Sequence, residues 1–479
     1  MEKFYVTTAI PYVNAAPHIG NVLDFIYADV LARYWRQQGV EKVLFSTGTD
    51  EHGSKIAEKA AEAGMTPKAF SEINANKFLG LLKLLDISND RFIRTTDKGH
   101  GQRAQIIWQN LKNDIYKSKY TGLYCVGCES FVAPTEAKEN NNICPIHQRQ
   151  YQKLEEENYF FKLTKYLKAI QEAISDDVFK IVPETRKNEM LKLVQGGIED
   201  ISISRPVDKL AWGIPVPGDK TQVMYVWFEA LLNYITVLGY PEYDDFKTYW
   251  PADVQVIGKD VAKFHAVFWP AILLALGLPL PKTLYIHGFL NVDDQKMSKS
   301  VGNVVSPKEI IDKYGVDTYR YFFLRHVSSY EDGNFTWERL DSAYNNELAN
   351  ELGNAVQRVA SMLGKYQNNI LGEIPPGEHD IYEYQDAINN FRFDKALDEV
   401  WSQIKGVNQY IDAQKPWQIY KSGDYSHLQE VLTYSASCLI EIAGLLEPFM
   451  PETAKKIKFI FGEGVVKQLG KPLFPKEES

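Results

Sequence analysis

The sequence has 479 residues, of which 45% are hydrophobic and 24% are charged, and its formal net charge is −9. This length predicts two to four domains, each with enough apolar residues for a core. Because no apolar run approaches 18 residues and the first residues form no charged-then-apolar leader, we expect a soluble, cytoplasmic protein without a membrane segment. Net charge neither supports nor excludes RNA binding, since basic residues can cluster locally.

The first block, residues 1–113, alternates strand and helix patterns. The apolar strand Phe4–Ala9 leads to a helical pattern over His18–Gln38. A second strand, Val43–Thr47, ends in the polar turn Gly48–Gly53. Open α/β sheets place ligand contacts at turns of this kind, so half of a Rossmann-like domain is predicted. The block has no G-x-G-x-x-G motif, which argues against a dinucleotide cofactor.

The second block, residues 114–218, contains a cluster of metal-binding residue types. The spacing is Cys-x2-Cys, fifteen residues, and then Cys-x2-His, within about 122–150. Four such side chains in two short turns suit tetrahedral Zn²⁺, and no fifth ligand is evident, so a closed structural site is expected. The alternative is three reduced cysteines and a surface histidine. The predicted ligands are Cys125, Cys128, Cys144 and His147.

The third block, residues 219–327, returns to strands and helices. Predicted strands lie at Val223–Trp227, Val254–Ile257 and Thr283–His287, and the run Lys296–Ser300 follows the last of them. A loop with two lysines at the carboxyl end of a strand can bind a polyphosphate, because lysine is a compact charge on a flexible stem. A lone K-x-x-K is more often a solvated basic turn.

Three motifs occur together in the sequence. The first is Pro17–Asn21 at the predicted helix start, where backbone N–H groups favour phosphate. The second is the lysine run Lys296–Ser300. The third is Ile201–Arg205, followed by Trp212–Pro217. Together they resemble the class I aminoacyl-tRNA synthetases, and among these the methionyl-tRNA synthetase family. The resemblance covers essentially the whole chain, and the combination of motifs is highly specific.

The resemblance implies an α/β fold in which a Rossmann-like parallel-sheet catalytic domain is split by a zinc-binding connective insertion and followed by an all-α helical bundle. It implies a ligase that activates L-methionine with ATP, releases pyrophosphate, and transfers methionine to tRNA(Met) for translation initiation and elongation. A monomer is expected. The implied domains are 1–113 and 219–327 for the two catalytic halves, 114–218 for the insertion, 328–345 for a stem-contact connector and 346–479 for the anticodon-binding domain.

The resemblance also implies the residues of the catalytic site. ATP, with Mg²⁺ on its triphosphate, is expected to contact His18, Gly20, Asn21, Gly258, Asp260, Lys296 and Lys299. His18, Lys296 and Lys299 are the predicted catalytic residues, because fixed donors stabilise charge that builds on phosphate oxygens. Asp50 is expected to bind the methionine ammonium group. The pocket for the thioether side chain, which suits aromatic walls, is implied to consist of Ile10, Tyr12, Trp227, Ala230, Tyr234, Val261 and His265.

Polar residues recur at helical spacing in the last block. Asn350, Asn354 and Arg358 stand at i, i+4 and i+8 and so share one helix face, and Trp417 follows Pro416 at a predicted helix start. A solvated face is the plain interpretation of this pattern. The resemblance implies instead that these residues bind the anticodon, with Trp417 stacking on an unpaired base.

Three other functions stay open at this point. A sister synthetase for leucine, valine or isoleucine would carry a longer insertion than the roughly 105 residues here, and the cysteine enzyme would hold zinc in its substrate pocket. A catalytically silent RNA-binding relative would not need His18, Lys296 and Lys299. A nucleotidyltransferase that does not act on tRNA would not need Asn354, Arg358 and Trp417.

Overall fold

The computed structural model describes residues 1–125, 130–132, 134–145, 148–296, 303–373, 380–462, 464–467 and 470–475. For a few residues inside helices and strands, Lys296 among them, it describes the backbone alone. The chain divides into two compact units. The first unit comprises residues 1–17, 39–83 and 88–286, and the second comprises 18–38, 84–87 and 287–479.

A parallel sheet forms the centre of the first unit. The strand Lys3–Thr8 lies near its middle, and every residue of this strand after Lys3 is buried. Such burial on both faces is typical of parallel sheets covered by helices. The spatial order of the strands is Arg91–Arg94, Lys42–Thr49, Lys3–Thr8, Val254–Gly258, Thr283–His287 and Lys180–Val182. The winding direction reverses between the third and fourth of these strands, and ligands bind α/β sheets at the carboxyl ends of strands beside such a reversal.

The predicted strands at Phe4–Ala9, Val43–Thr47, Val254–Ile257 and Thr283–His287 are confirmed to within two residues at each end. The strand Lys180–Val182 was not predicted, although it lies in the segment assigned to the insertion and pairs in parallel with Thr283–His287. It has three residues, which is too short for a periodic pattern to reveal.

The predicted strand at Val223–Trp227 is wrong. The observed strand is Asp219–Met224, and the helix Val226–Leu231 begins two residues after it. This strand pairs with Ser204–Pro206 and Pro215–Val216 in a small antiparallel sheet rather than with the central sheet. A short apolar run fits a buried helix as well as a buried strand, so periodicity alone could not separate them.

The first unit also contains an antiparallel sheet and a set of short helices. The antiparallel sheet has the order Ser130–Val132, Ile115–Cys125, Gln152–Phe161 and Ile201–Ser202. The α-helices are Ser54–Glu62, Pro67–Leu84, Lys98–Asn110, Pro134–Glu139, Leu167–Ser175, Glu184–Gln195, Val226–Leu231, Asn233–Thr236, Asp244–Tyr249 and Trp269–Ala275. The 3-10 helices are Lys112–Asp114, Leu163–Tyr166 and Lys259–Val261, and Phe264–Phe268 is a π-helix.

The second unit is mainly helical, as predicted for the chain beyond about residue 341. Its small sheet consists of Gln295–Lys296, Leu290–Val292 and Gly333–Phe335. The helices are Ile19–Asn21 (3-10), Leu23–Gln37, Pro307–Tyr314, Val316–Arg325, Trp337–Ser342, Ala343–Gly353 (π), Asn354–Gln367, Tyr382–Asn389, Phe393–Gln414, Pro416–Ser422, Tyr425–Leu446 and Pro451–Phe461. In the described parts of the chain, no helix combines the length and apolar character needed to cross a bilayer.

A buried arginine connects the helix Leu23–Gln37 to the C-terminal helices of the second unit. The guanidinium of Arg320 is fully buried and lies 2.7 Å from the Asp29 carboxylate. It also donates to the carbonyl oxygens of Phe449 and Pro448, at 2.7 and 3.0 Å. Because a buried charge is stable only when it is paired and hydrogen-bonded, these contacts fix the position of the helix that follows the His18 motif.

Candidate functional site

Turns at the carboxyl ends of two central strands carry three of the predicted methionine-binding residues. Ile10 and Tyr12 follow the strand Lys3–Thr8, and Asp50 follows the strand Lys42–Thr49. The Asp50 N–H donates to the Pro11 carbonyl at 2.9 Å, and the Val13 N–H donates to the Asp50 carbonyl at 3.1 Å. These two bonds hold the neighbouring turns together, and they fix the backbone beneath the largely buried Asp50 side chain.

The Asp50 turn is anchored by a second acid that the sequence analysis did not identify. Glu51 is fully buried, and its carboxylate accepts from Arg94 Nε at 2.7 Å and from Arg94 Nη2 at 2.9 Å. The Thr96 hydroxyl donates to the same carboxylate at 2.6 Å. The hydrogen bond to Glu51 raises the pKa of the Arg94 guanidinium. The sequence did contain an indication of this role, because Glu51 is a charged residue that closely follows a buried strand.

Three predicted pocket residues form a hydrogen-bonded chain. His265 Nδ1 lies 3.0 Å from the Val261 carbonyl, and His265 Nε2 lies 2.7 Å from the Tyr234 hydroxyl. A carbonyl can only accept, so the imidazole proton is on Nδ1, and Nε2 accepts from the Tyr234 hydroxyl. Tyr234 and His265 are both buried. Their partners therefore fix the orientation of the imidazole ring.

Aromatic rings form one wall beside this chain. Trp227 stacks on Phe264 with ring centroids 3.9 Å apart, and it meets the His265 ring edge-on at 6.5 Å. Phe264 and His265 belong to the π-helix Phe264–Phe268, a type of distortion that is frequent at functional sites. Phe264 was not predicted, because 13% of the residues are aromatic and the sequence does not show which rings stack.

The remaining first-unit predictions lie on the same short elements. Ala230 is buried on the helix Val226–Leu231. Gly258 ends its strand and caps the 3-10 helix Lys259–Val261, on which Asp260 is exposed. An exposed carboxylate after a strand end can accept hydrogen bonds from ribose hydroxyl groups.

In the second unit, His18 and Asn21 of the Pro17–Asn21 motif form a capping box at the start of a 3-10 helix. The Gly20 N–H donates to His18 Nδ1, and the His18 N–H donates to Asn21 Oδ1, both at 3.1 Å. Neutral His18 therefore carries its ring proton on Nε2, and the Asn21 amide keeps its NH₂ group as a donor. The predicted single helix over His18–Gln38 is corrected to a 3-10 turn, Ile19–Asn21, and an α-helix that begins at Leu23.

Lys296 is the last residue of a β-hairpin. Its strand pairs with Leu290–Val292, and the two connecting residues, Asp293 and Asp294, both have positive φ angles, of 50° and 58°. Such two-residue turns match the twist of the flanking strands. Asn334 fixes the turn by accepting from the Asp294 N–H at 2.9 Å. Lys299 lies outside the described residues.

The predicted anticodon residues lie in the helical region, where Asn350, Asn354 and Trp417 are exposed and Arg358 is half-buried. Asn350 belongs to a π-helical segment, so the α-helical spacing that was predicted for three residues holds only for Asn354 and Arg358. Arg358 Nη2 contacts Asp412 Oδ1 at 2.6 Å. Trp417 is 36% exposed and follows Pro416 at the start of its helix, as predicted.

Two of the four predicted zinc ligands are described. Cys125 ends a strand, and Cys144 begins a turn in which the Gln148 N–H donates to the Cys144 carbonyl at 2.8 Å. Both cysteines are buried in one small apolar cluster. Cys128 and His147 lie outside the described residues. Within the described residues, no three metal-binding side chains converge. The described part of the chain thus brings together two of the four proposed ligands, Cys125 and Cys144.

Comparison with known proteins gives a family match and two similar proteins. The family model described as "tRNA synthetases class I (M)" matches residues 4–154 and 135–360. The chain is 41% identical over 474 residues to the methionine–tRNA ligase of Thermotoga maritima, a match that covers 95% of this chain and 74% of that protein. It is also 41% identical to the methionine–tRNA ligase of Streptomyces coelicolor, over 95% of this chain and 89% of that protein.

A solved structure resembles the whole chain. This is the Mycobacterium tuberculosis methionyl-tRNA synthetase in complex with methionyl-adenylate, which superimposes with a TM-score of 0.93 at 36% identity and covers 99% of this chain and 100% of that one. The α/β parallel sheet and the helical C-terminal region are thus common to both proteins. The chain belongs to the methionyl-tRNA synthetase family of class I aminoacyl-tRNA synthetases.

Proposed function

We propose that this chain is a methionine–tRNA ligase: it activates methionine with ATP, releases pyrophosphate, and transfers the methionyl group to tRNA(Met). The observation that carries the proposal is the arrangement at the carboxyl ends of the central strands. The Asp50 carboxylate lies on the turn after a central strand, and the aromatic wall of Trp227, Tyr234 and His265 is carried by short helices of the same unit. This arrangement supplies an anion for an amino-acid ammonium group and an apolar slot for its side chain.

The pocket residues divide into two roles in the proposed binding of methionine, pairing with its ammonium group and forming the wall around its side chain. Asp50 pairs with the ammonium group. The hydrogen bond between Tyr234 and His265 fixes both side chains, so the buried pocket wall is preorganised before methionine binds. A wall of aromatic rings gives favourable contacts to a polarizable thioether. The other proposed wall residues are Ile10, Tyr12, Trp227, Ala230 and Val261.

The proposed chemistry is attack of the methionine carboxylate on the α-phosphorus of ATP, with departure of pyrophosphate. His18 donates its Nε2–H, and Asn21 donates its amide, to phosphate oxygens. Lys296 and Lys299 neutralise the departing pyrophosphate. Donors aimed at developing charge lower the barrier most in such transfers. ATP is proposed to carry Mg²⁺, and the remaining nucleotide contacts are Gly20, Gly258 and Asp260.

The helical region is proposed to select tRNA(Met). Trp417 is accessible for base stacking, and Arg358, held by Asp412, presents a fixed guanidinium. Asn350 and Asn354 would provide amides for base edges. The proposed domain layout keeps the boundaries at 113, 218, 327 and 345. Monomeric assembly stays a prediction of the sequence.

A structural zinc is proposed for the segment 114–218. Cys125, Cys128, Cys144 and His147 would hold it, and their thiolates and imidazole suit Zn²⁺ in tetrahedral coordination. The burial of Cys125 and Cys144 in one cluster supports this ligand set. Bound zinc would stabilise a segment with a small apolar core.

The experiment that tests the function is exchange of labelled pyrophosphate into ATP with each of the twenty amino acids, followed by charging of tRNA(Met). We expect exchange with methionine. Lys299→Ala should reduce the rate about 100- to 1000-fold, because one transition-state donor is lost. Lys308→Ala is the matched control, since this exposed lysine pairs with Asp312 at 2.6 Å. Exchange with another amino acid, or a Lys299→Ala variant as active as the control, would contradict the proposal.

A further inference from the structure

A fully buried carboxylate, Glu229, lies on the helix Val226–Leu231 of the first unit. Its Oε1 is 2.8 Å from His52 Nδ1, and its Oε2 is 2.9 Å from His100 Nε2. Both imidazoles are buried as well. A charge can be buried only when hydrogen bonds replace its hydration, and here each carboxylate oxygen meets one imidazole nitrogen.

The partners determine the protonation states in this cluster. Burial opposes the charge on Glu229, but the two imidazoles lower the pKa of its carboxyl group. An ionised carboxylate only accepts, so His52 donates its Nδ1–H and His100 donates its Nε2–H. His100 Nδ1 lies 2.8 Å from the Thr236 hydroxyl. Each carboxylate oxygen of Glu229 thus accepts one imidazole N–H, and these two hydrogen bonds stabilise its buried negative charge.

Three members of this chain, His52, Glu229 and Thr236, come from segments that also carry a proposed pocket residue, and His100 on the helix Lys98–Asn110 links Glu229 to Thr236. His52 belongs to the turn after the second central strand, and Thr236 ends the helix Asn233–Thr236. The hydrogen bonds therefore connect three pieces of the pocket wall through one carboxylate. The neighbouring pocket residues are Asp50 for His52, Trp227 and Ala230 for Glu229, and Tyr234 for Thr236.

The Glu229 side chain lies on a different face of its helix from the proposed pocket residues Trp227 and Ala230. Trp227 and Ala230 are three residues apart and so share one face of their helix. Glu229 follows Trp227 by two residues, which rotates its side chain by about 200° at 3.6 residues per turn. The carboxylate therefore points into the protein interior, toward the two histidines.

We propose that Glu229 is a positioning residue for methionine: through His52 and His100 it holds the Asp50 turn against the helix that carries Trp227. This role rests on the proposed methionine activation. If the carboxylate becomes an amide, one of the two imidazoles loses its acceptor or must change its tautomer, because an amide has a single acceptor oxygen. The ammonium site and the aromatic wall would then lose their fixed separation.

The test is Glu229→Gln, which preserves the side-chain shape and removes the charge. In methionine-dependent pyrophosphate exchange by the whole chain, the KM for methionine should rise about tenfold or more, as expected for loss of one charged hydrogen bond. The KM for ATP and the kcat at saturating methionine should stay within about twofold, because ground-state and transition-state binding are lost together. His100→Asn leaves the bond to His52 and should give a smaller rise in the same KM.

Asp253→Asn is the matched control. Asp253 is also buried and bonds Lys3 at 2.9 Å and Lys282 at 2.8 Å, but it precedes the strand Val254–Gly258 at the end opposite the pocket. We expect this variant to lose stability and to keep the wild-type KM for methionine.

Three results would overturn the inference. These are an unchanged KM in the folded Glu229→Gln variant, an equal rise in KM in Asp253→Asn, and a rise confined to the KM for ATP. If Glu229→Gln does not fold, the KM for methionine of the His100→Asn variant is the deciding measurement, and an unchanged value would overturn the inference. Absence of exchange in the wild type would reject the proposed function together with this inference, whereas exchange in the wild type with an unchanged variant KM rejects the inference alone.

Discussion

At the scale of single residues, hydrogen-bond partners determine which proton a side chain offers. His18 accepts a backbone N–H at Nδ1 and so has its proton on Nε2. His265 donates at Nδ1 to a carbonyl and so accepts at Nε2. In their neutral forms the two imidazoles are thus opposite tautomers: the Nε2 atom of His18 is a donor suited to phosphate, whereas the Nε2 atom of His265 is an acceptor for the Tyr234 hydroxyl. Residue type alone could not predict this difference.

A change at Tyr234 tests the buried pocket bond. Tyr234→Phe removes the hydroxyl group that donates to His265, so we expect the KM for methionine to rise about three- to tenfold, the effect of one neutral hydrogen bond. Pyrophosphate exchange measures this KM. Tyr384→Phe is the control, because this buried hydroxyl donates to the Leu445 carbonyl at 2.8 Å in the second unit. Equal KM values for the two variants would contradict the prediction.

At the scale of elements, a carboxylate joins two helices of the second unit. Glu347, in the π-helical segment Ala343–Gly353, lies 2.8 Å from His326 Nε2 and 3.2 Å from Arg325 Nη1. Burial opposes its charge, but hydrogen bonds from His326 and Tyr321 hold the pKa of the Glu347 carboxyl below its ordinary value. The predicted helical spacing gave no indication of this contact, because the partners are more than twenty residues away in sequence.

The depressed pKa of Glu347 predicts a pH-dependent contribution to stability. This contribution is fully present above the unfolded carboxyl pKa of about 4.3 and is lost as the pH falls through the lower folded pKa. Glu347→Gln should therefore lower the free energy of unfolding by about 1–2 kcal/mol at pH 7, and the difference should shrink below about pH 4. Urea unfolding at several pH values measures it. The exposed Glu338→Gln should show no such difference, and a pH-independent loss in Glu347→Gln would contradict the assignment.

At the scale of the whole molecule, the proposed pocket and the proposed anticodon residues belong to different units. The first unit contains the parallel sheet and the methionine pocket. The second contains the His18 motif, the lysine hairpin and the helices with Arg358 and Trp417. Substitutions can therefore separate methionine binding from tRNA selection.

A change at Trp417 tests that separation. Trp417→Ala should reduce the rate of tRNA(Met) charging about 5- to 150-fold, the effect of losing one stacked base. Methionine-dependent pyrophosphate exchange should stay at the wild-type rate. Lys421→Ala, on the same short helix, is the control for loss of surface charge. A parallel loss of exchange in Trp417→Ala would show that the residue acts on folding rather than on tRNA.

Zinc content tests the proposed metal site. The purified wild type should hold one zinc ion per chain by elemental analysis, and Cys144→Ser should reduce this content and lower the unfolding temperature, because one of four ligands is lost. Cys438→Ser is the control, since this cysteine is buried in the helix Tyr425–Leu446. Equal zinc content in the two variants would reject the ligand set.

The sequence by itself was sufficient for the local features. Strand patterns at four positions of the central sheet, the helical C-terminal region and the helix start at Pro416 are confirmed, because periodicity and turn residues act over a few neighbours. The family was also recognisable from Pro17–Asn21 and Lys296–Ser300, because phosphate-binding chemistry requires these residue types in short runs. The roles of the individual site residues stay predictions.

Only the tertiary structure decided the features that depend on distant partners. It placed Lys180–Val182 in the central sheet, showed that residues 226–227 of a predicted strand belong to a helix, and paired Glu229 with two histidines. A buried charge is stable only where the fold supplies its partners, and a short strand exists only where a neighbour completes its hydrogen bonds. Those partners are between about 100 and 180 residues away along this chain, so no local pattern could identify them.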